Sequence, residues 1–301
     1  MDAKTVLEGT YFSDSRKELQ KERRSLLIRR FLSNRMLLTG SVITVLLGII
    51  ALLAPFLTSY TPLEMQMVKR LQAPSLEHWF GTDNFGRDLF SRVVHGTRVS
   101  MAVGISVAFI TMITGTVIGL YSAYYKFLDH ILMRICDGLM AFPGILLAIA
   151  LTAALGSNMI NVIIALSIIS TPTIARVVRS AAIVVKEQVY IEALRAQGAS
   201  ASRIIWYHMA PNTVSPLIIQ ITFVFAVSVL IEAALSFLGA GIAPPNPSLG
   251  NILYDGKVVI FSAWWMTVFP GLFILLSVLG LNLFGDGLRD MLDPHTNKAK
   301  K

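Results

Sequence analysis

The stretch Glu192-Ala-Leu-Arg-Ala-Gln-Gly198-Ala-Ser-Ala-Ser-Arg-Ile-Ile-Trp-Tyr-His208-Met-Ala-Pro211-Asn212 is a polar island between two apolar runs of membrane-spanning length. Good helix formers dominate its first part, from about 189 to 197, and Gly198 is the residue a chain uses to turn sharply at a helix end. A second short helix is expected after it. Ser200 or Ser202 would cap that helix, Ile204, Ile205 and Trp206 would give it an apolar face, and Pro211, lacking an N–H, would stop it. The expectation is a helix-turn-helix that presents a surface at one side of a membrane.

Working outward, the composition supports the membrane. Of 301 residues 54% are hydrophobic and 15% charged, with a mean hydropathy of +0.64, too apolar for a soluble domain of this size. Six runs reach the roughly 20 residues needed to cross about 30 Å of hydrocarbon: near 36–57, 99–124, 137–155, 160–182, 214–238 and 263–284. The formal charge of +8 would suit a nucleic-acid partner only if it were gathered on one surface. It is instead divided by side. Twenty of the 26 Lys and Arg fall on the side of the N-terminus, the 192–212 island and the tail, while Lys69, Arg70, Arg87, Arg92, Arg98 and Lys257 fall on the other. Under the positive-inside rule both termini are cytoplasmic, and no nucleic acid is called for. The chain reads as all-α, a polytopic membrane protein with six transmembrane helices. Its parts are a basic N-terminal segment (1–35), a first helix with an extracytoplasmic segment (36–98), a core (99–287) containing the 186–213 loop, and a tail (288–301).

Residues 17–31 have the spacing of an amphipathic helix against membrane lipid. The first span, preceded by a long polar stretch and itself of full length, reads as an uncleaved anchor rather than a signal peptide. The lone Cys136 makes no intramolecular disulfide, and its cytoplasmic placement keeps it reduced. Asp83 is expected to cap a helix, with Asp83/Arg87 and Asp88/Arg92 paired at i,i+4, and Arg134/Asp137 is expected to pair at i,i+3. Gly115 and Gly119 stand at the spacing that lets helices approach closely. Trp264 and Trp265 read as interfacial anchors.

Five residues are candidates for the pore or its gating. Pro143 should kink the third span; Asn158 sits in the tight turn after it; Pro172 and Thr173 lie mid-membrane in the fourth. Glu232 is an intramembrane carboxylate, which costs about 2–3 kcal/mol and so faces either a bonding partner or water. No GxxxxGK[ST] occurs, so the chain does not cradle ATP phosphates in the usual way. The five histidines are scattered without ligand spacing, which gives no metal site. None lies within a span to serve a buried nucleophile, so an intramembrane hydrolase is a poor reading. An ion-driven carrier using Glu232 is a better rival, but the internal repeats such carriers usually show are absent.

The island resembles the coupling loop, the EAA loop, of bacterial ABC importer permeases: Glu-Ala-Ala, three residues, Gly, nine residues, Ile, one residue, Leu-Pro. Glu192, Ala193, Gly198 and Pro211 fall in register; Leu194, His208 and Ala210 depart from the letters. Three further strings resemble one branch, the C-type permeases of dipeptide, oligopeptide and nickel importers. They are Gly81-Thr-Asp83 to Ser100, Leu235 to Gly250 (with Leu249 where Trp is usual), and Asn282 to Pro294. The likeness runs from about Phe31 to Pro294.

It implies the ABC type I importer permease fold in a bacterial cell membrane, and a subunit without its own ATPase site. The implied partners are a homologous B-type permease, two cytoplasmic ABC ATPases that bind ATP and Mg, and an extracytoplasmic substrate-binding protein. No cofactor is implied in this chain. Glu192, Ala193, Gly198, Ala199, His208, Pro211 and Asn212 are its implied contact with the ATPases. The implied cargo is a dipeptide or oligopeptide, with nickel or another small solute as the alternative.

Overall fold

The computed structural model describes residues 28–292 together with Glu22, Ser25 and Leu26. Most of the amphipathic helix expected over 17–31, and the tail beyond 292, lie outside the described residues. The side of the membrane carrying the 192–212 island is called the near side below, and the opposite one the far side.

Helix α1 (Arg35–Leu57) starts at Asn34, whose side chain accepts from the Leu37 N–H. Helix α2 (Leu89–Tyr124) has 36 residues and is about 54 Å long, well beyond the bilayer core. It begins ten residues before the expected span, and its cap is Asp88 rather than the expected Asp83, accepting from the Ser91 N–H at 2.7 Å. Helix α5 (Met159–Lys186) is capped by Asn158. Helix α9 (Trp265–Leu292) closes the described chain.

The third expected span is not one helix. Helix α3 (Lys126–Met140) and helix α4 (Gly144–Leu155) meet at 94°. Pro143 drives Phe142 out of the helical region and, lacking an N–H, starts a new helix instead of continuing the old one. The 12 residues of α4 rise only about 18 Å, short of a full crossing. Among the described residues five helices are long and apolar enough to span, and a sixth crossing exists only if the bent pair counts as one.

Pro172 and Pro211 behave differently. Pro172 is buried inside α5, which runs on through it; the Thr171 hydroxyl donates back to the Ser167 carbonyl and meets the Thr114 hydroxyl on α2 at 2.9 Å. Pro211 does not stop the second helix of the island. After the short helix α6 (Val189–Ala196), helix α7 runs from Ala201 to Phe237 without a break. It winds loosely as a π-turn over Ile204–Met209 and tightly as a 3-10 turn over Ala210–Thr213, so the missing N–H falls where the ladder is already changing register. The Asn212 side chain donates to the His208 carbonyl at 2.7 Å, satisfying a group at the change. The far-side loop holds one helix not expected, α8 (Leu249–Lys257), begun by a reciprocal Ser248/Asn251 cap.

In lipid, apolar side chains gain little from leaving one hydrocarbon for another, so close approach of backbones does the packing. Helix α2 lies at the centre against α5 and α7. At Gly115 an added Cβ would meet Ile174 Cβ at 2.5 Å, and at Gly119 the Ala175 carbonyl at 2.7 Å, which is the close contact the glycine spacing predicts. Helix α1 packs on α9. Val42, Val45, Leu46, Leu52 and Phe56 remain exposed on α1, in keeping with a lipid-facing surface.

Candidate coupling and transport sites

The near-side island is built from three signals. Helix α6 ends at Ala196 with Gln197 as its C-cap; the Gly198 N–H then bonds the Arg195 carbonyl at 2.9 Å and the Ala199 N–H bonds the Leu194 carbonyl at 3.0 Å. This paired closure requires a left-handed residue, and Gly198 has φ +80° with nothing within 4 Å of where a Cβ would stand. Ser200, rather than Ser202, caps the next helix by accepting from the Arg203 N–H. Ile191, Ile204, Ile205 and Met209 are buried against the near ends of α2 and α5. Here water is close, so their burial contributes the usual roughly 1.5–3 kcal/mol per side chain.

The opposite face is open. Glu192, Ala193, Gly198, Pro211 and Asn212 are exposed, and Ala199 and His208 are half-buried. The Tyr207 ring is 78% exposed, beside a cleft of about 540 Å³ lined by Ser200, Ser202, Arg203, Tyr207 and His208. The seven expected coupling residues thus share one short element whose apolar face is used inward and whose polar and aromatic face is left uncovered.

The five candidate pore residues do not converge. Pro143 and Asn158 stand at opposite ends of α4 and its turn, both exposed. Asn158 is occupied as a cap, and Asn161 donates to the Leu155 and Gly156 carbonyls, so this turn holds itself together. Pro172 is buried and Thr173 half-buried within α5. Glu232 is fully buried among α2, α7 and the loop before α8. Ser100 donates to its Oε2 at 2.6 Å and Ser236 to its Oε1 at 2.9 Å, while Ser248 stands near. Helix spacing from Glu232 could have found Ser236; Ser100, 132 positions away, has no local signal.

Four near-side contacts were also invisible in sequence. Arg134/Asp137 does not pair; Asp137 instead accepts from Arg176 on α5 at 2.6 Å. Arg179 reaches Asp129. Lys186 donates to the Ala123 and Tyr124 carbonyls at the end of α2, and Arg195 lies over the Tyr124 ring at 5.5 Å.

Comparison with known proteins places this geometry. Residues 115–298 match the family described as binding-protein-dependent transport system inner membrane component, and residues 24–74 match the N-terminal TM domain of oligopeptide transport permease C. The chain is 48% identical over 269 residues (89% of it, 91% of the relative) to a putative peptide transport system permease protein of Brucella abortus. It is 46% identical over 262 residues (87% and 86%) to the dipeptide transport system permease protein DppC of Alkalihalophilus pseudofirmus. With the glutathione transport system permease protein GsiD of Escherichia coli it shares 45% over 268 residues (88% of each). The chain belongs to the binding-protein-dependent permease family. Its fold is also that of a chain in the inward-facing MetNI methionine ABC transporter, at TM-score 0.54 and 22% identity, covering 67% of this permease and 97% of that chain.

The far side of the permease carries a buried charge network. Asp83 accepts from the Phe85 and Arg87 backbone and from Arg87 Nε at 2.6 Å, confirming the expected pair. The second expected pair does not form: Asp88 meets His78 Nδ1 at 2.9 Å, and Arg92 faces Asp83 at 3.4 Å and Asp255 at 3.7 Å. Burial pushes the Asp255 carboxyl above its ordinary value, against the opposing pull of Arg92 and Arg87. Trp264 is half exposed, as an anchor should be, but Trp265 is buried and donates to the Thr82 carbonyl at 3.1 Å. The 60–88 segment is thereby pinned to α8 and α9.

Proposed function

We propose that this chain is the C-type permease subunit of an ATP-driven importer for short peptides. A homologous B-type permease completes the path, two cytoplasmic ATPases bind ATP and Mg, and an extracytoplasmic binding protein delivers the cargo. The observation that carries the reading is the island: a rigid, glycine-closed element at the join of two spans, buried on its apolar face and open on its polar one. The near side is then cytoplasmic, and Glu192, Ala193, Gly198, Ala199, His208, Pro211 and Asn212 form the surface on which the ATPases press. Peptide cargo is favoured over nickel because the relatives above carry peptide, dipeptide or glutathione in their names.

The test is uptake of a labelled dipeptide by the complex reconstituted with its ATPases and binding protein. The wild-type complex should accumulate it only with ATP. Gly198→Val places a β-branched residue at φ +80°, a strain of about 1–2 kcal/mol with nothing within 4 Å of the added Cβ, and should lower uptake while leaving membrane insertion intact. Unchanged uptake together with unchanged ATPase co-purification in that variant would remove the island from the coupling role.

A further inference from the structure

Helix α5 grips the bent pair at its near end through side chains from distant parts of the sequence. Arg179 donates from Nε to Asp129 Oδ1 at 2.5 Å and from Nη2 to Asp129 Oδ2 at 2.7 Å. This two-pronged contact fixes orientation as well as distance. Arg176 donates to Asp137 further along α3, and Lys186 holds the carbonyls where α2 passes into α3. Three residues beyond Lys186, at Val189, the island's first helix begins. At its other end α3 passes through the Pro143 break into α4. One unbroken helix therefore joins the island to α3 at two points and to the adjoining end of α2 at a third, and α3 leads on to the one sharp bend in the described bundle.

These ion pairs add little to stability. Arg179 and Asp129 are 32% and 23% exposed, Arg176 and Asp137 46% and 56%, and pairs so placed contribute about 0–1 kcal/mol. Removing them would leave no buried charge stranded, unlike the far-side network. Their geometry suits transmission: a link across two helices that holds direction yet is weak enough to slide or re-form within a cycle.

We propose that Arg179–Asp129, supported by Arg176–Asp137, is the link that passes displacement of the island to α3 and, through the Pro143 bend, to α4. The four are positioning residues and need not touch the cargo. The proposal rests on the transport reading above and deepens it by naming how the ATPase stroke enters the bundle.

The readout is the number of ATP molecules hydrolysed per labelled dipeptide taken up by the reconstituted complex, with complex yield measured alongside. Arg179→Gln and Asp129→Asn should each raise that ratio between about two- and thirtyfold at unchanged yield, the range seen when a link in a coupling path is cut. The exchange Asp129→Arg with Arg179→Asp should bring it back down, which a merely structural role would not predict at constant yield. A wild-type ratio in both single variants overturns the proposal. If either single variant fails to assemble, Arg179→Lys keeps the charge and gives up one prong; it should show a raised ratio, and a wild-type ratio or a lost complex there overturns the link. Absence of ATP-driven uptake in the wild-type complex would instead overturn the transport reading itself.

Discussion

Glu232 shows what a single residue can decide inside a membrane. A carboxylate at this depth needs partners, and two hydroxyls supply them at 2.6 and 2.9 Å. Glu232→Ala leaves the Ser100 and Ser236 hydroxyls facing a void, each at a cost of about 1–3 kcal/mol. The expected outcome is a lower thermal midpoint of the purified complex with uptake per assembled complex unchanged; an unchanged midpoint with altered uptake would return Glu232 to the transport path. The carboxylate itself was legible, since an acidic residue in an apolar run announces itself. Its main partner was not, because Ser100 on α2 meets it only after the helices pack. The same limit separates Asp83/Arg87, found by local spacing, from Asp137, which passes over Arg134 three residues away for Arg176 on another helix. On α3 the direction of a side chain is set by which face lies against α5, and spacing within α3 carries no such information.

At the scale of an element, Pro143, Pro172 and Pro211 have three different outcomes. Pro143 ends one helix and begins another at 94°, Pro172 rides inside α5, and Pro211 sits where π and 3-10 turns exchange. Sequence located all three perturbations but could not rank them. What differs is the support: Thr171 and the close packing on α2 keep α5 continuous through Pro172, whereas Phe142 and Pro143 are exposed and have nothing to hold them to a helical path. Pro143→Ala should therefore let α3 and α4 straighten. Spin labels placed at Arg134 and Ala154 should then move apart relative to the parent protein, while the corresponding Pro172→Ala change should leave that distance as it is. An unmoved distance in Pro143→Ala would assign the bend to tertiary contacts instead. The 192–212 island was the most legible element, since Gly198, Ser200, Ile204 and Ile205 are close in sequence, although Pro211 does not end its second helix and Trp206 stays exposed. The far-side helix α8 was the least, because its Pro- and Gly-rich approach reads as loop until Ser248 and Asn251 are seen to cap each other.

For the whole molecule, the division of basic residues predicts orientation, and labelling checks it directly. In a Cys136→Ser background, single cysteines at Ser75 and Asn246, both exposed on the far side, should react with an impermeant thiol reagent applied to intact cells, and one at the exposed Ser202 should not. Labelling at Ser202 alone would invert the topology. The long α2 has a further consequence. It is about 54 Å of continuous helix. Its far end is set in the Asp83, Arg87 and Asp255 cluster by Arg92, and its near end is clasped by Lys186. Between them, Gly104 lies against Phe225 and Gly119 against Val178, with no room for even a Cβ at either point. A rod held at both water boundaries and gripped between them is a strut: displacing either end requires the contacts at the other to give as well.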